Sequence, residues 1–292
     1  MKRISRALIS SCLLLVLTAA AGCTRDNAQQ SATGSFEKVR DRFFAQQAYE
    51  FHGKTSLLAG NTANGNLVNF SGHKQGNQTA MTVSLSVPEK NQVDTLSLLS
   101  KNQRLYAKFS EKESWQSVEG NTAFQQEFAN WDPAYSFEQM DSMRTKVIPL
   151  ADQNQEDGRK AFRVLLDSTK LKSWLADQMR AQSIGGSSRI QSTRAHAPNL
   201  KAAMLLSESQ WYRRPEGARI QTSEQKNKIN EIIDRMEVEA EYTVYYDEKR
   251  MLPTNVIMNI RSEYDMLNQR VFEHSKVDTY LLNYGRKDTR QP

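Results

Sequence analysis

Residues Tyr49–Leu57, with the sequence YEFHGKTSL, alternate between residues suited to a buried face and polar residues suited to water. Side chains of a strand point to opposite faces in turn, so this period of two predicts a half-buried β-strand. The pattern recurs in Val68–Gly72 and Met81–Val87, and the turn-forming residues Asn61–Gly65 separate the first two runs. Strands joined by short polar turns predict an antiparallel meander with one buried face.

Strand patterns return in the last third of the chain, after a helical middle. In Val238–Tyr246 apolar and aromatic residues alternate with glutamates, and further strands are predicted at Val256–Ile260 and Val271–Leu281. In the middle, one predicted helix follows a cap at Asp167 or Ser168. Helical spacing places Leu171, Trp174, Leu175 and Met179 on one face of that helix, and Ile229, Ile232, Ile233 and Met236 on one face of another. This order predicts a single α+β domain.

The N-terminus has the layout of a secretory signal. A basic opening, MKRISR, precedes Leu13–Cys23, LLLVLTAAAGC, an apolar segment that ends in small residues. Ala20–Cys23 also resembles a bacterial lipobox, in which the cysteine is acylated and becomes the first mature residue. The apolar run is shorter than the roughly 20 residues of a spanning helix. We therefore expect removal of residues 1–22, acyl chains on Cys23, and a place in the cell envelope on the extracytoplasmic side of a bacterial membrane. An unlipidated secreted protein is the alternative.

Two polar stretches lie outside the predicted elements. Residues 23–35 have no apolar period and are expected to form a flexible tether from Cys23. The domain is then expected to cover residues 36–292. Within it, residues 183–198, SIGGSSRIQSTRAHAP, are expected to form a flexible loop.

The charge and the cysteines of the mature chain exclude two classes of protein. The full chain has a net charge of +6, and loss of Lys2, Arg3 and Arg6 with the signal leaves +3. This charge is too small for a nucleic-acid-binding surface, so no nucleic-acid partner is expected. Of the two cysteines, Cys12 leaves with the signal and Cys23 is acylated. The folded domain is therefore expected to have no disulfide.

The pattern as a whole resembles the LolA/LolB carriers, the RseB-type sensors and the LppX/LprG-type envelope lipoproteins. The resemblance runs over most of residues 36–284. It is carried by the opening strand Tyr49–Ser56, the strand-turn-tryptophan unit Leu105–Trp115 and the turn Asp247–Pro253. It implies a strongly curved antiparallel sheet, an incomplete β-barrel, with helices packed over its concave face. In these relatives the concave face and the helices enclose an apolar cavity, which some of them use for acyl chains.

Two groups of residues are candidates for binding. Bulky, adaptable side chains on the predicted helices are the candidate lining of an apolar cavity; they are Trp174, Met179, Met204, Trp211, Ile229, Ile232, Ile233 and Met236. Core packing against the sheet is the alternative role for this group. Basic residues of the flexible region are candidates for contact with anionic lipid headgroups or wall polymers; they are Arg189, Arg194, Lys201, Arg213 and Arg214. A solvated loop is the alternative there.

The sequence contains no complete catalytic or metal-binding motif. Ser35–Lys38 and Ser223–Lys226 match the S-x-x-K pattern, but its K-T-G companion is absent. The four histidines are scattered without the spacing of metal ligands, and neither a G-x-S-x-G elbow nor a P-loop is present. We therefore expect no enzymatic activity, no metal and no cofactor.

Two functions fit these observations. The first is a non-enzymatic, membrane-anchored lipoprotein that binds a hydrophobic ligand such as lipid acyl chains. The alternative is an envelope interaction or stress-sensor module with a filled core and no small-molecule ligand. An apolar void between sheet and helices favours the first, and a packed interior with an exposed apolar patch favours the second. The sequence does not indicate a protein partner.

Overall fold

The computed structural model describes residues 30–57, 67–87, 92–118 without 103, 109 and 111, 128–150 without 130, 158–185, 223–266 and 269–286. Its strands are β1 Ala48–Leu57, β2 Leu67–Gln75, β3 Gln78–Val87, β4 Gln92–Lys101, β5 Arg104–Lys108, β6 Gln116–Ser117, β7 Arg144–Leu150, β8 Arg159–Leu166, β9 Glu237–Asp247, β10 Leu252–Met266 and β11 Gln269–Leu282. Its helices are α1 at residues 30–44, α2 Pro133–Met143, α3 Ser168–Gly185 and α4 Ser223–Arg235.

The eleven strands form one antiparallel sheet in the order β6-β5-β4-β3-β2-β1-β11-β10-β9-β8-β7. Neighbouring strands are consecutive in the chain except for β1 and β11, where Phe51 pairs with Leu281. The first and last strands therefore join the two halves of the sheet. Among the described strands, β6 and β7 are the two edges, and the sheet is open. The predicted class, an α+β fold with a curved antiparallel sheet and helices, is confirmed.

Two glycines allow very close contact between strands in the middle of the sheet. Gly53 of β1 lies opposite Phe70 of β2, and Gly72 of β2 lies opposite Phe51 of β1. A Cβ at position 53 would lie 2.4 Å from the carbonyl oxygen of Asp278 and 2.4 Å from Cζ of Phe70. Each ring thus occupies the space of the side chain that the facing glycine lacks. Glycines at such positions let a sheet curl sharply.

We expect Gly53→Ala to destabilise the domain by about 1–3 kcal/mol, because the added methyl group overlaps a backbone oxygen as well as a ring. Urea denaturation measures this loss. Gly34→Ala in α1 is the control, since nothing lies within 4 Å of its added Cβ. Alanine is favoured over glycine inside a helix by about 0.5–1 kcal/mol. Equal stability of Gly53→Ala and the parent chain would contradict the close contact.

Helices α1 and α2 pack on the inner face of the sheet. The ring of Phe36 in α1 lies 5.8 Å from that of Phe162 in β8. One end of the same helix carries Phe43, whose ring lies 5.0 Å from that of Tyr49 in β1 and 4.8 Å from that of Phe137 in α2. A single helix therefore contacts both halves of the sheet, which requires the sheet to curve around it.

The starts of α2 and α3 follow from capping residues. Asp132 Oδ1 accepts a hydrogen bond of 2.9 Å from the backbone amide of Ala134, and Pro133 occupies the first turn of α2. Asp167 Oδ1 accepts from two backbone amides in the first turn of α3, at 2.9 and 3.0 Å. Both carboxylates satisfy amides that lack a partner within the helix. Of the two predicted caps for α3, Asp167 is the one used.

Two boundaries differ from those expected from the sequence. Residues 30–35, which belong to the expected tether, are part of helix α1. The reason is Ala32, which lies one turn before Phe36. Ala32 is only 5% exposed, and it extends the packed face of the helix into a polar stretch. The expected loop at 183–198 starts within α3, which continues to Gly185. Residues 186–198 lie outside the described residues.

Candidate ligand-binding site

The inner face of the sheet has a fully buried part and a half-open part. Over much of the face the apolar side chains are completely buried, as for Val83 and Val164, which are both 0% exposed. On β10 and β11, Met258, Val271 and Val277 also point inward and pack against the core, but they are only half-buried. Met258 and Val277 are direct cross-strand partners. Met258 and Val277 therefore form a small apolar area that the core does not cover, and Val271 lies further along β11, opposite Tyr264.

Helices α3 and α4 lie over this half of the sheet, with α3 against β9 and α4 against β10. They are held side by side where Lys172 Nζ donates a hydrogen bond of 2.9 Å to the carbonyl oxygen of Asp234. Trp174 of α3 and Ile232 of α4 pack against the same core and are half-buried too. Half-buried apolar side chains thus come from both the helices and the strands of one region.

Polar residues flank Val277 on the inner face of β11 and separate it from Val271. They are Glu273, Ser275 and Thr279, which are 5%, 6% and 7% exposed. Burial, and then the adjacent Glu273 carboxylate, raise the pKa of Tyr264, which hydrogen-bonds to that carboxylate. The phenol therefore stays protonated and donates to Glu273. Binding sites for small ligands combine apolar walls with a few polar groups that fix orientation in this way.

The structure places the candidate residues in three groups. Half-buried on α3 and α4 are Trp174, Met179, Ile229 and Ile232. Ile233 and Met236 are buried, with 5% and 4% of their surface exposed. Outside the described residues are Met204 and Trp211, together with Cys23 and the basic candidates Arg189, Arg194, Lys201, Arg213 and Arg214. Helix α4 therefore carries the half-buried Ile232 directly beside the buried Ile233.

Sequence reasoning missed the strand side of this region. Met258, Val271 and Val277 fall within the predicted strands Val256–Ile260 and Val271–Leu281, and alternation assigns them to the apolar face. Their pattern is the same as that of Val256 and Ile260, which are 3% and 4% exposed. Alternation identifies a face but not how completely other elements cover it. Nothing in the sequence separates these three from the core.

Helix α2 is attached to two neighbouring elements by polar side chains. Trp174 Nε1 of α3 donates a hydrogen bond of 2.9 Å to Tyr135 Oη. The Tyr242 hydroxyl of β9 donates to Gln139 Oε1, and these two residues are 2% and 4% exposed. Burial raises the pKa of Tyr242, so the hydroxyl remains a donor. Because separating a buried pair leaves both groups without water, these bonds fix the position of α2.

We expect Tyr242→Phe to cost about 1–3 kcal/mol of unfolding free energy, because it leaves the buried Gln139 oxygen without its donor. The double variant Tyr242→Phe with Gln139→Met should recover most of this loss, since both polar partners are then gone. Urea denaturation of the parent, both single variants and the double variant gives the coupling energy. Purely additive losses would contradict a direct bond between the two side chains.

The reactive side chains of the described residues include Ser35 in α1. Ser35, from one S-x-x-K match, donates its hydroxyl to the Ser31 carbonyl oxygen in α1 at 3.0 Å. Within the described ranges, no group of three or more His, Cys, Asp or Glu is placed to bind a metal ion. No helix in those ranges combines the length and apolar character needed to cross a membrane.

No family model and no curated protein matches this chain. Among solved structures, it is similar to lipoprotein LppX from Mycobacterium tuberculosis, at 6% identity and a TM-score of 0.40, over 89% of this chain and 98% of that one. It is also similar to a LolA superfamily protein from Nitrosomonas europaea, at 8% identity and a TM-score of 0.28, over 89% and 94%. A DUF1329 family protein from Desulfovibrio piger matches at 7% identity and a TM-score of 0.30, over 89% and 95%. The first two carry the names of classes that the sequence resembles.

Proposed function

We propose that this chain is a non-enzymatic lipoprotein, anchored through acyl chains on Cys23 to the extracytoplasmic side of a bacterial membrane. Its cargo is a hydrophobic ligand, such as a lipid acyl chain, held between the curved sheet and the helices α3 and α4. The observation that carries this proposal is the difference in burial on one face. Met258, Val271 and Val277 stay half-buried, although side chains elsewhere on that face are completely dry.

The energetics of burial explain why an acyl chain suits this region. Removing apolar surface from water is favourable by about 25 cal/mol of free energy for each Å² that is buried. A chain laid along Met258, Val277 and Ile232 removes their remaining contact with water and buries its own methylenes, at about 0.8 kcal/mol each. Glu273 and Ser275 offer hydrogen-bond acceptors beside the apolar area for a polar end of the ligand. The basic residues between 189 and 214 are proposed to contact anionic headgroups.

Native mass spectrometry of the full chain released from nanodiscs tests this function. We expect a folded protein that carries the mass of a noncovalent lipid in addition to its covalent anchor. Extraction with organic solvent should return that lipid for identification. A folded chain with only its covalent mass, after purification without detergent exchange, would argue against a bound ligand.

The second candidate function is an envelope interaction or sensor module with a filled interior. It is favoured by β11, whose outward side chains Phe272 and Tyr280 are 61% and 46% exposed. Large apolar groups on an exposed strand face are typical of surfaces that contact another protein. This candidate predicts no lipid mass, together with loss of a partner when Phe272 is replaced by Ser. Pull-down from envelope extracts with the Phe272→Ser variant beside the parent separates the two functions.

A further inference from the structure

Gln139 of α2 has a buried amide nitrogen that the fold leaves without a hydrogen bond. The side chain is only 4% exposed, and its Oε1 accepts a hydrogen bond from the Tyr242 hydroxyl. Within the part of the chain that the structure describes, its Nε2 has no hydrogen-bond partner. An amide nitrogen carries two N–H donors, and nearly all buried polar groups in proteins are paired. These two donors therefore lack an acceptor among the described residues.

The neighbouring hydroxyl groups determine which end of the Gln139 amide is the oxygen. Burial raises the pKa of Tyr242, whereas a hydrogen bond with the Ser136 hydroxyl lowers it. A bond that lowers the pKa of a phenol is one donated to its oxygen, since such a bond stabilises the phenolate. The Tyr242 oxygen thus accepts from Ser136, and its own proton is donated to Gln139 Oε1. Nε2 is therefore the end of the amide that Tyr242 does not use.

The Gln139 amide lies beside the apolar area of the inner face. Tyr242 of β9 is the direct cross-strand partner of Met258, one of the half-buried residues of that area. The Cβ atoms of such partners are about 5 Å apart. On the helix side, the half-buried Trp174 of α3 donates to Tyr135, which is one turn before Gln139 on α2. The amide therefore lies close to half-buried apolar side chains of both β10 and α3.

We propose that Gln139 Nε2 binds the carbonyl oxygen of the ligand, which is a lipid whose acyl chain is linked through an ester or an amide. Because this carbonyl belongs to the ligand of the inner face, its binding rests on the function proposed above. A carbonyl oxygen has two lone pairs and accepts hydrogen bonds without bringing a charge into an apolar region. A lipid without a carbonyl leaves the buried donors unpaired, which is unfavourable.

Competition between an ester probe and an ether probe tests the carbonyl site. The full chain is placed in nanodiscs that contain equal amounts of 1-decanoylglycerol and 1-O-decylglycerol. Native mass spectrometry of the released protein then measures the two bound masses. The probes share the chain length, the glycerol and the bridging oxygen, and only the ester has a carbonyl. We expect at least roughly tenfold more bound ester than bound ether, because the ether leaves a buried donor without its hydrogen bond.

Two variants test whether Gln139 is the source of this preference. Tyr242→Phe with Gln139→Met removes the amide and should bind the two probes about equally. Tyr242→Phe alone is the matched control, because it keeps the amide, and it should retain the preference for the ester. Infrared spectra with a ¹³C-labelled ester carbonyl give a second measurement. A carbonyl band at lowered frequency should be present in the parent and the control and absent from the double variant.

The outcomes separate the carbonyl site from the proposed function. Equal binding of the two probes by the parent chain would overturn the carbonyl site and leave a hydrophobic ligand possible. A preference for the ester, or a lowered carbonyl band, that persists in the double variant would overturn the role of Gln139. A folded parent chain with neither bound mass would contradict the proposed function itself, and the carbonyl site with it.

Discussion

We expect Ile233→Asp to unfold the domain and Ile232→Asp to leave it folded but without its hydrophobic ligand. The two residues are adjacent on α4, yet Ile233 is 5% exposed whereas Ile232 is half-buried beside the core. A charge forced into a dry site costs several kcal/mol, a large share of a total stability of about 5–15 kcal/mol. At the half-open position the carboxylate keeps its water, but it stands where the acyl chain would lie.

Urea denaturation and native mass spectrometry measure the two effects separately. The two alanine variants should differ in stability in the same direction. Ile233→Ala should lower the free energy of unfolding by about 2–5 kcal/mol, and Ile232→Ala by clearly less, because little new void opens at a half-open site. The lipid mass should persist in Ile233→Ala at low temperature and decline in Ile232→Ala. Equally large losses of stability at both positions, with bound mass unchanged, would make α4 a packed lid over a filled interior.

Cys23→Ser should abolish acylation completely. Without the thiol no diacylglyceryl group can be attached, so the cell should accumulate either unprocessed precursor or a form that washes off membranes. A single acyl chain anchors only weakly, and two anchor stably, at about 0.8 kcal/mol per buried methylene. The measurement is fatty-acid labelling together with membrane fractionation under a salt wash.

Cys12→Ser is the matched control, because it removes the other cysteine of the chain. Cys12 lies within the apolar part of the predicted signal, so this variant should be labelled and should fractionate like the parent. Fatty-acid labelling that persists in Cys23→Ser would contradict the anchor. Loss of labelling in both variants would point to a damaged signal and would also remove the argument for Cys23.

Local alternation predicts most of the sheet because a period of two with one apolar face suits a strand with one buried side. The run at Tyr49–Leu57 falls within β1, and Val238–Tyr246 falls within β9. The pairing of β1 with β11 is different, because it joins opposite ends of the chain and leaves no local trace. The helical state of residues 30–35 also escaped prediction, since a single alanine in a polar stretch gives no periodic signal.

The sequence predicts which face of each element borders the candidate site, but not how deeply each side chain on that face is buried. Helical spacing selects Ile232 and Ile233 equally, and only the elements packed opposite decide which of them is dry. The same holds for Met258 and Val256 on β10.

Photo-cross-linking with a fatty acid that carries a mid-chain diazirine tests the inner-face site most directly. The probe is added to the purified full chain, irradiated, and mapped by peptide mass spectrometry. We expect labels on β10, β11 and α4, at or next to Met258, Val277 and Ile232, and their loss in Ile232→Asp. Labels confined to outward residues such as Phe272 and Tyr280, or unchanged labelling in that variant, would contradict a ligand held between the sheet and the helices.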